Sequence, residues 1–280
     1  MRASVCMQRA GYPVAGGPCL RQHWGGAGNP LFYAPAPMHG VLMASILALD
    51  TSTDACSVAL IHAGGVQHRH HLEARAHHRL LLPMIEDVLA QAGCAPADLD
   101  AVAFGCGPGS FTGLRIATAV TQAIAWAHDL RVIGVSTLEL LAAAAAKDAP
   151  SAQGVITLLD ARMGECYWNL FLNDGGAVSP MLDDGLATPE VIAGELARRC
   201  AAHPGRWRLL GSQWLPESDW PRVAGVDVEQ APDVAVDARV LLELAQSRLL
   251  AGEGLPAREA IPRYLRDERR WRRLGDPVPG

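Results

Sequence analysis

From Ser45 onward, two hydrophobic rhythms alternate along the chain. The first is a short unbroken apolar run, as in SILALD (45–50), ACSVALI (55–61), AVAFGC (101–106) and RVIGV (131–135). Runs of this length, bounded by turn residues, predict buried strands. VQHRHHL (66–72) predicts one more strand beside them. The second rhythm is longer, with apolar residues on most turns of a 3.6-residue period, and it predicts helices over 77–91, 111–128 and 136–147. Ser136 is the natural cap of the third. The second half repeats the order less cleanly. It opens with a hairpin over 157–178, then a helix over 189–200 with a proline in its first turn. A strand around 207–210 and a helix over 237–250 follow.

The two halves also match residue by residue. LALDTSTDACSVALIHAGGV (47–66) aligns with TLLDARMGECYWNLFLNDGGAV (157–178). Leu49 pairs with Leu159, Asp50 with Asp160, Cys56 with Cys166 and Leu60 with Leu170, and the glycine pair 64–65 meets 175–176 after one inserted residue. Each copy reads as a buried strand ending in Asp, a turn, a second strand and a glycine turn. The implied fold class is α/β and duplicated: two lobes, each a mixed sheet with packed helices. That plan resembles the actin, sugar-kinase and Hsp70 superfamily, in which the Asp and the hydroxyls after it face a nucleotide between the halves. The expected boundaries are a first lobe at 43–148, a second at 149–257 with the last helix inside it, and a tail at 258–280.

Composition narrows the setting. Net charge is −5, and half the residues are apolar, so nothing global points to nucleic acid or an anionic membrane. Seven cysteines without a C-x-x-C spacing argue against a disulfide framework or a structural zinc site, and for a reducing cytoplasm. No apolar stretch has the ~18 residues of a membrane span. Residues 1–42 hold seven glycines and five prolines with no period. They are expected to be a disordered extension, or to precede a true start at Met38 or Met43.

Candidate chemistry gathers at GPGSFTG (107–113), where a strand hands over to a helix. The loop lacks the lysine of a G-x-x-x-x-G-K-[ST] phosphate loop, and its third glycine comes one residue late for G-x-G-x-x-G. A tight strand–helix turn with Ser110 as N-cap remains, along with weak anion contact through the helix's free N–H groups. The candidate ligand-binding residues are therefore Asp50, Thr51, Ser52, Gly107, Gly109, Ser110 and Thr112, with Asp160 and Arg162 from the second copy. Six of the ten histidines fall between 62 and 78, but none forms an i, i+4 helical pair, and a solvated sheet edge explains them without a metal.

Two helices carry too little polarity for a solvent face. LLLPMIEDVL (80–89) has only Glu86 and Asp87 charged, and LRIATAVTQAIAWA (114–127) only Arg115. Either they are sandwiched within their lobe or a second polypeptide covers them. The tail segment REAIPRYLRDERRWRRL (258–274) holds seven arginines against three acids, with Tyr264 and Trp271, which suits RNA phosphates and bases.

LALDTSTDACSVAL, HHRLLLPMIEDVL, GPGSFTGLRIA, GVSTLELLA, LDARMGECYW and IPRYLRDERRW resemble, in order and spacing, the TsaB (YeaZ) family of bacterial tRNA threonylcarbamoyladenosine biosynthesis proteins. The resemblance runs from about 45 to 271. It implies a non-catalytic scaffold that pairs with the related catalytic subunit TsaD and, through it, with the ATPase TsaE and tRNA. No cofactor of its own is implied, since ATP, metal and threonylcarbamoyl-adenylate fall to the partners. By the same resemblance the TsaD-facing residues would be His77, Leu80, Leu81, Met84, Ile85, Val88, Leu114, Arg115, Ala117, Thr118, Thr121 and Ile124, a face that could also pair two copies of the chain. Arg266, Arg269, Arg270, Arg272 and Arg273 are the expected tRNA contacts. The alternative is an active ATP-dependent phosphotransferase or carbamoyltransferase of the same fold, with Asp50 and Asp160 holding the metal.

Overall fold

A computed structural model describes residues 44–266, apart from 216, 221 and 223. The extension 1–42 and the arginines 269, 270, 272 and 273 lie outside the described residues. The first half runs β1 (Ile46–Asp50), β2 (Ala55–His62), β3 (Gly65–Leu72), α1 (His77–Ala92), β4 (Ala101–Gly107), α2 (Phe111–His128), β5 (Arg131–Ser136) and α3 (Thr137–Asp148). The second runs β6 (Gly154–Asp160), β7 (Cys166–Asp174), β8 (Ala177–Pro180), β9 (Gly185–Ala187), α4 (Pro189–Cys200), β10 (Gly205–Leu210), β11 (Val226–Gln230) and α5 (Ala238–Leu250), and closes with β12 (Leu255–Pro256).

The repeat in the sequence is a repeat in the sheets. In the first, β3, β2, β1, β4 and β5 lie in that order, with β12 added at the far edge. In the second, β8, β7, β6, β10 and β11 take the same places, and β9 pairs with β7 off that path. Each opens with an antiparallel meander, then continues with strands parallel to the first. The unbroken apolar runs are explained by burial on both faces: every residue of β1 and β4 is buried.

The helices between the sheets cross the boundary drawn from sequence. α3 packs on β6, β7, β8 and β10, whereas α5, assigned to the second lobe, packs on β1, β2, β4 and β5 of the first sheet. One core therefore joins Ile46, Ala48 and Ile133 of the first sheet to Val155 and Phe171 of the second through Leu138, Ala142, Leu241 and Ala245. A second core lies under α1 and α2, and a third under α4.

α1 and α2 also correct the expected interface. His77, Leu81, Met84, Ile85 and Val88 of α1 are buried within the chain, as are Leu114, Ala117, Thr118 and Thr121 of α2. Leu81, Met84, Ile85, Val88 and Ala117 belong to the second core, at helical spacing. Of the expected set only Leu80, Arg115 and Ile124 reach the surface. The outward stripe of α2 is Arg115, Ile116, Ala119, Val120, Ala123, Trp126 and Ala127. The helix looks apolar all round because alanine fills that outer face, and Trp126 stands on it 74% exposed.

Candidate functional site

The two Asp-ended strands point at one cleft of about 1990 Å³ between the halves. Both Asp residues build the same local turn. Asp50 Oδ1 accepts from the Ser52 amide at 2.9 Å, and Asp160 Oδ1 accepts from the Arg162 amide at 2.7 Å. This is the side chain to i+2 amide bond that Asp favours at a turn. Beyond it the two copies diverge.

In the first copy the turn is sealed against the glycine loop. Asp50 and Thr51 are fully buried and do not line the cleft. The Ser52 hydroxyl donates to Asp50 Oδ1 at 2.9 Å, and the Thr51 hydroxyl donates to the Gly113 carbonyl at 2.7 Å. The Ser110 amide donates to the Ser52 carbonyl at 2.7 Å. This backbone-on-backbone approach is what the glycines serve. A Cβ at Gly113 would stand 1.8 Å from the Thr51 carbonyl oxygen, and one at Gly109 would stand 2.2 Å from that of Ser52. At Gly105 a Cβ would fall 1.7 Å from Asp50 Oδ2. Gly107 lies behind the loop at φ 102, against Leu114. Asp50 Oδ2 has no partner among the described residues, and burial pushes the carboxyl up to about 6.

The second copy stays open. Asp160 is half-buried and pairs through Oδ2 with the exposed Arg162 guanidinium at 2.9 Å. Arg162 and Met163 hold left-handed φ values of 64 and 59, followed by Gly164 at 75. Met163 stands 82% exposed at the rim. The turn is pinned by Arg266, which donates to the carbonyl of Ala161 at 2.9 Å and pairs with Glu165 at 2.7 Å. Arg266 is therefore mostly enclosed by the hairpin, which corrects its assignment as an outward RNA contact.

Arg263, Tyr264, Leu265 and Arg266 line the cleft from a further side. The Gln122 side chain donates to the Ala260 carbonyl at 2.7 Å, and the Arg263 amide donates to Cys106 at 2.7 Å. Arg263 then reaches Asp184 at 3.5 Å, a side chain already bonded to Ser136 and Asn169. Tyr264 accepts from Arg115 at 3.1 Å, and Arg115 lies 3.7 Å over the Phe111 ring. Of the expected ligand residues, Ser52, Gly109, Ser110, Thr112, Asp160 and Arg162 line the cleft together. Arg75, His78, Trp214 and Arg263 line it as well and were not singled out, and Tyr264, read from sequence as a residue of the RNA-suited tail, lines it too. No spacing signal marks them, since long-range packing brings them there. The histidine-rich β3 does other work: His68 Nε2 meets Asp237 at 3.2 Å and ties the strand to α5.

Comparison with known proteins adds the following. The family model "TsaD: tRNA N6-adenosine threonylcarbamoyltransferase" matches residues 61–210. The tRNA threonylcarbamoyladenosine biosynthesis protein TsaB of Escherichia coli is 35% identical over 230 residues, 82% of this chain and 97% of that one. TsaB of Haemophilus influenzae is 35% identical over 238 residues, again 82% of this chain and 97% of its own. The solved structure of YeaZ from Pseudomonas aeruginosa is 37% identical, with a TM-score of 0.67, and covers 80% of this chain and 100% of its own.

Proposed function

The chain belongs to the TsaB (YeaZ) family of tRNA threonylcarbamoyladenosine biosynthesis proteins, and on that premise we propose that it is a non-catalytic partner subunit of the enzyme that makes this nucleoside. Its partner is a TsaD-like catalytic subunit, joined by a TsaE-like ATPase. The assembly transfers a threonylcarbamoyl group from its adenylate to the adenosine beside the anticodon. ATP, metal and adenylate belong to the partners, and tRNA is met through the assembled complex.

The observation that carries this reading is the outer face of α2. Ile116, Ala119, Val120, Ala123 and Ala127 leave a run of apolar residues on the outward stripe, with Arg115 at its start, and Trp126 stands on it with three quarters of its area in solvent. Small residues let a second backbone approach closely, and an exposed tryptophan is a common anchor of a buried contact. The sealed Asp50 points the same way, because the first lobe keeps the turn of a nucleotide-binding fold without its reach into the cleft.

The test is co-purification with the TsaD-like subunit of the same host, followed by a threonylcarbamoylation assay. Ala119→Glu and Ala123→Glu place charges on the exposed face only, so thermal stability should stay within about 0.5 kcal/mol. Binding and modification should each fall by about tenfold or more. Full modification by the doubly substituted chain, or by the catalytic subunit with this chain left out, would sink the proposal. Leu114→Asp is not a usable probe, because Leu114 is buried and the change would unfold α2.

A further inference from the structure

Among the described residues, three are methionines, and the fold treats them differently. Met84 of α1 belongs to the second core and is 5% exposed, and Met181 is half-buried against the third. Met163 stands 82% exposed. Its backbone explains why. Arg162, Met163 and Gly164 all hold left-handed φ values, so the hairpin reverses tightly there, and the side chains of Arg162 and Met163 both stand in solvent.

The sulfur has a neighbour on that surface. Arg266 Nη1 donates to Met163 Sδ at 3.6 Å, while Nη2 donates to the Ala161 carbonyl at 2.9 Å and meets Glu165 at 2.7 Å. A thioether is a weak acceptor, so the guanidinium is held firmly on one side and loosely on the other.

We propose that Met163 is a reversible oxidation site, taking one oxygen from a small peroxide to become the sulfoxide, and that Arg266 holds the oxidised form. A sulfur lone pair attacks one oxygen of hydrogen peroxide, and the O–O bond breaks as the S–O bond forms. Sulfur loses two electrons and the peroxide gains them. The proton on the transferred oxygen passes to the departing hydroxide, which leaves as water. A thiol-dependent sulfoxide reductase reverses the change, removing the oxygen as water while two thiols become a disulfide.

Exposure selects Met163, because the peroxide must reach the sulfur and Met84 is withheld in the core. Arg266 sets the consequence. The sulfoxide oxygen is one bond from a sulfur that already lies 3.6 Å from Nη1, which brings it within hydrogen-bond reach of that donor. It carries partial negative charge and faces a cation, so a charge-assisted bond replaces the weak sulfur contact. Oxidation of a core methionine disrupts packing. At Met163 it tightens the turn over 161–165 instead. Met163 also lines the cleft, so the same oxygen exchanges an apolar rim group for a polar one.

The test treats the full chain with dilute hydrogen peroxide and follows each methionine by peptide mass mapping. Met163 should gain its oxygen at least about ten times faster than Met84, with Met181 between them. The oxidised chain should melt about 2 °C above the untreated one, and a sulfoxide reductase with dithiothreitol should bring it back. Met163→Leu separates this residue from the other methionines: after peroxide it should show no rise. Met163→Gln places an amide oxygen one bond beyond the sulfur position, so the untreated variant should melt with the oxidised parent. Arg266→Ala should abolish the rise and leave the oxidation rate of Met163 within about twofold. Should the Arg266 variant fail to fold, the Leu and Gln variants decide. The proposal is overturned if Met163 oxidises no faster than Met84, if the melting point stays or falls on oxidation, if the rise persists in Met163→Leu, or if Met163→Gln melts below the untreated parent.

Discussion

Burial pushes the Asp50 carboxyl up to about 6, from the 3.8 of a carboxylate in water. The sign of the consequence follows from comparing the two states. Below the unfolded value both states are protonated, and the group costs nothing. Between the two values the unfolded chain has released the proton and the folded chain still holds it, so stability falls as pH rises. Above about pH 6 the folded state carries a buried charge, and the loss levels off at about 3 kcal/mol. Asp50→Asn removes the charge and keeps an oxygen for the Ser52 amide. The variant should be more stable than the parent at pH 7 to 8 by about 1–3 kcal/mol, with the gap closing toward about pH 4. Urea melts of both proteins across that range test it, and parallel stability curves would reject it. The sequence showed that Asp50 ends a strand at a turn but not that its carboxyl is sealed, because Gly105, Gly109 and Gly113 close over residues 50–52 from 53 or more positions away.

At the level of the element, the pattern of apolar positions located α2 and α4 to the residue and α1 to within one. It did not say which stripe of α2 faces inward, since alanine and valine occupy both sides and the period carries little contrast. β11 and β12 were not foreseen: VDVEQ is short and half polar, and a two-residue edge strand ending in Pro256 has no pattern to read. How helices lock to each other is a contact between distant residues, also absent from the local pattern. Arg248 of α5 donates to both carboxylate oxygens of Glu139 on α3 at 2.7 Å and to the Gly134 carbonyl of β5 at 2.8 Å. The pair is mostly enclosed, so losing one member leaves the other poorly solvated. Arg248→Ala should cost about 2 kcal/mol. Arg248→Lys should recover less than half, because an ammonium cannot reach the Glu139 carboxylate and the Gly134 carbonyl with two separate nitrogens. Denaturant midpoints decide this, and full rescue by lysine would show that charge alone matters.

Across the whole molecule, the duplication was readable because it is written twice in strand order, and the actin-like fold follows from it. The crossing of α5 onto the first sheet was not, since the choice of sheet is a tertiary contact between 238–250 and strands some 100 or more residues earlier. The same crossing carries the chain back to the cleft, where 260–266 ties the glycine-loop side to the Arg162 turn. Arginines in this region therefore divide into two kinds, with opposite expected phenotypes. Arg266 is committed to Glu165 and the hairpin carbonyls, so Arg266→Ala should lower stability by about 1–2 kcal/mol and leave RNA affinity of the assembled complex nearly unchanged. If the tail meets tRNA as proposed, replacing Arg269, Arg270, Arg272 and Arg273 with alanine should do the reverse. Each lost phosphate contact lowers the slope of log affinity against log salt by about 1, so the fourfold variant should flatten it by about 2–4 while melting like the parent. Filter binding of tRNA by the complex over a salt series measures both effects. An unchanged slope in the fourfold variant would remove the tail from the RNA surface, and a slope change in the Arg266 variant would mean that the hairpin releases this side chain when RNA binds.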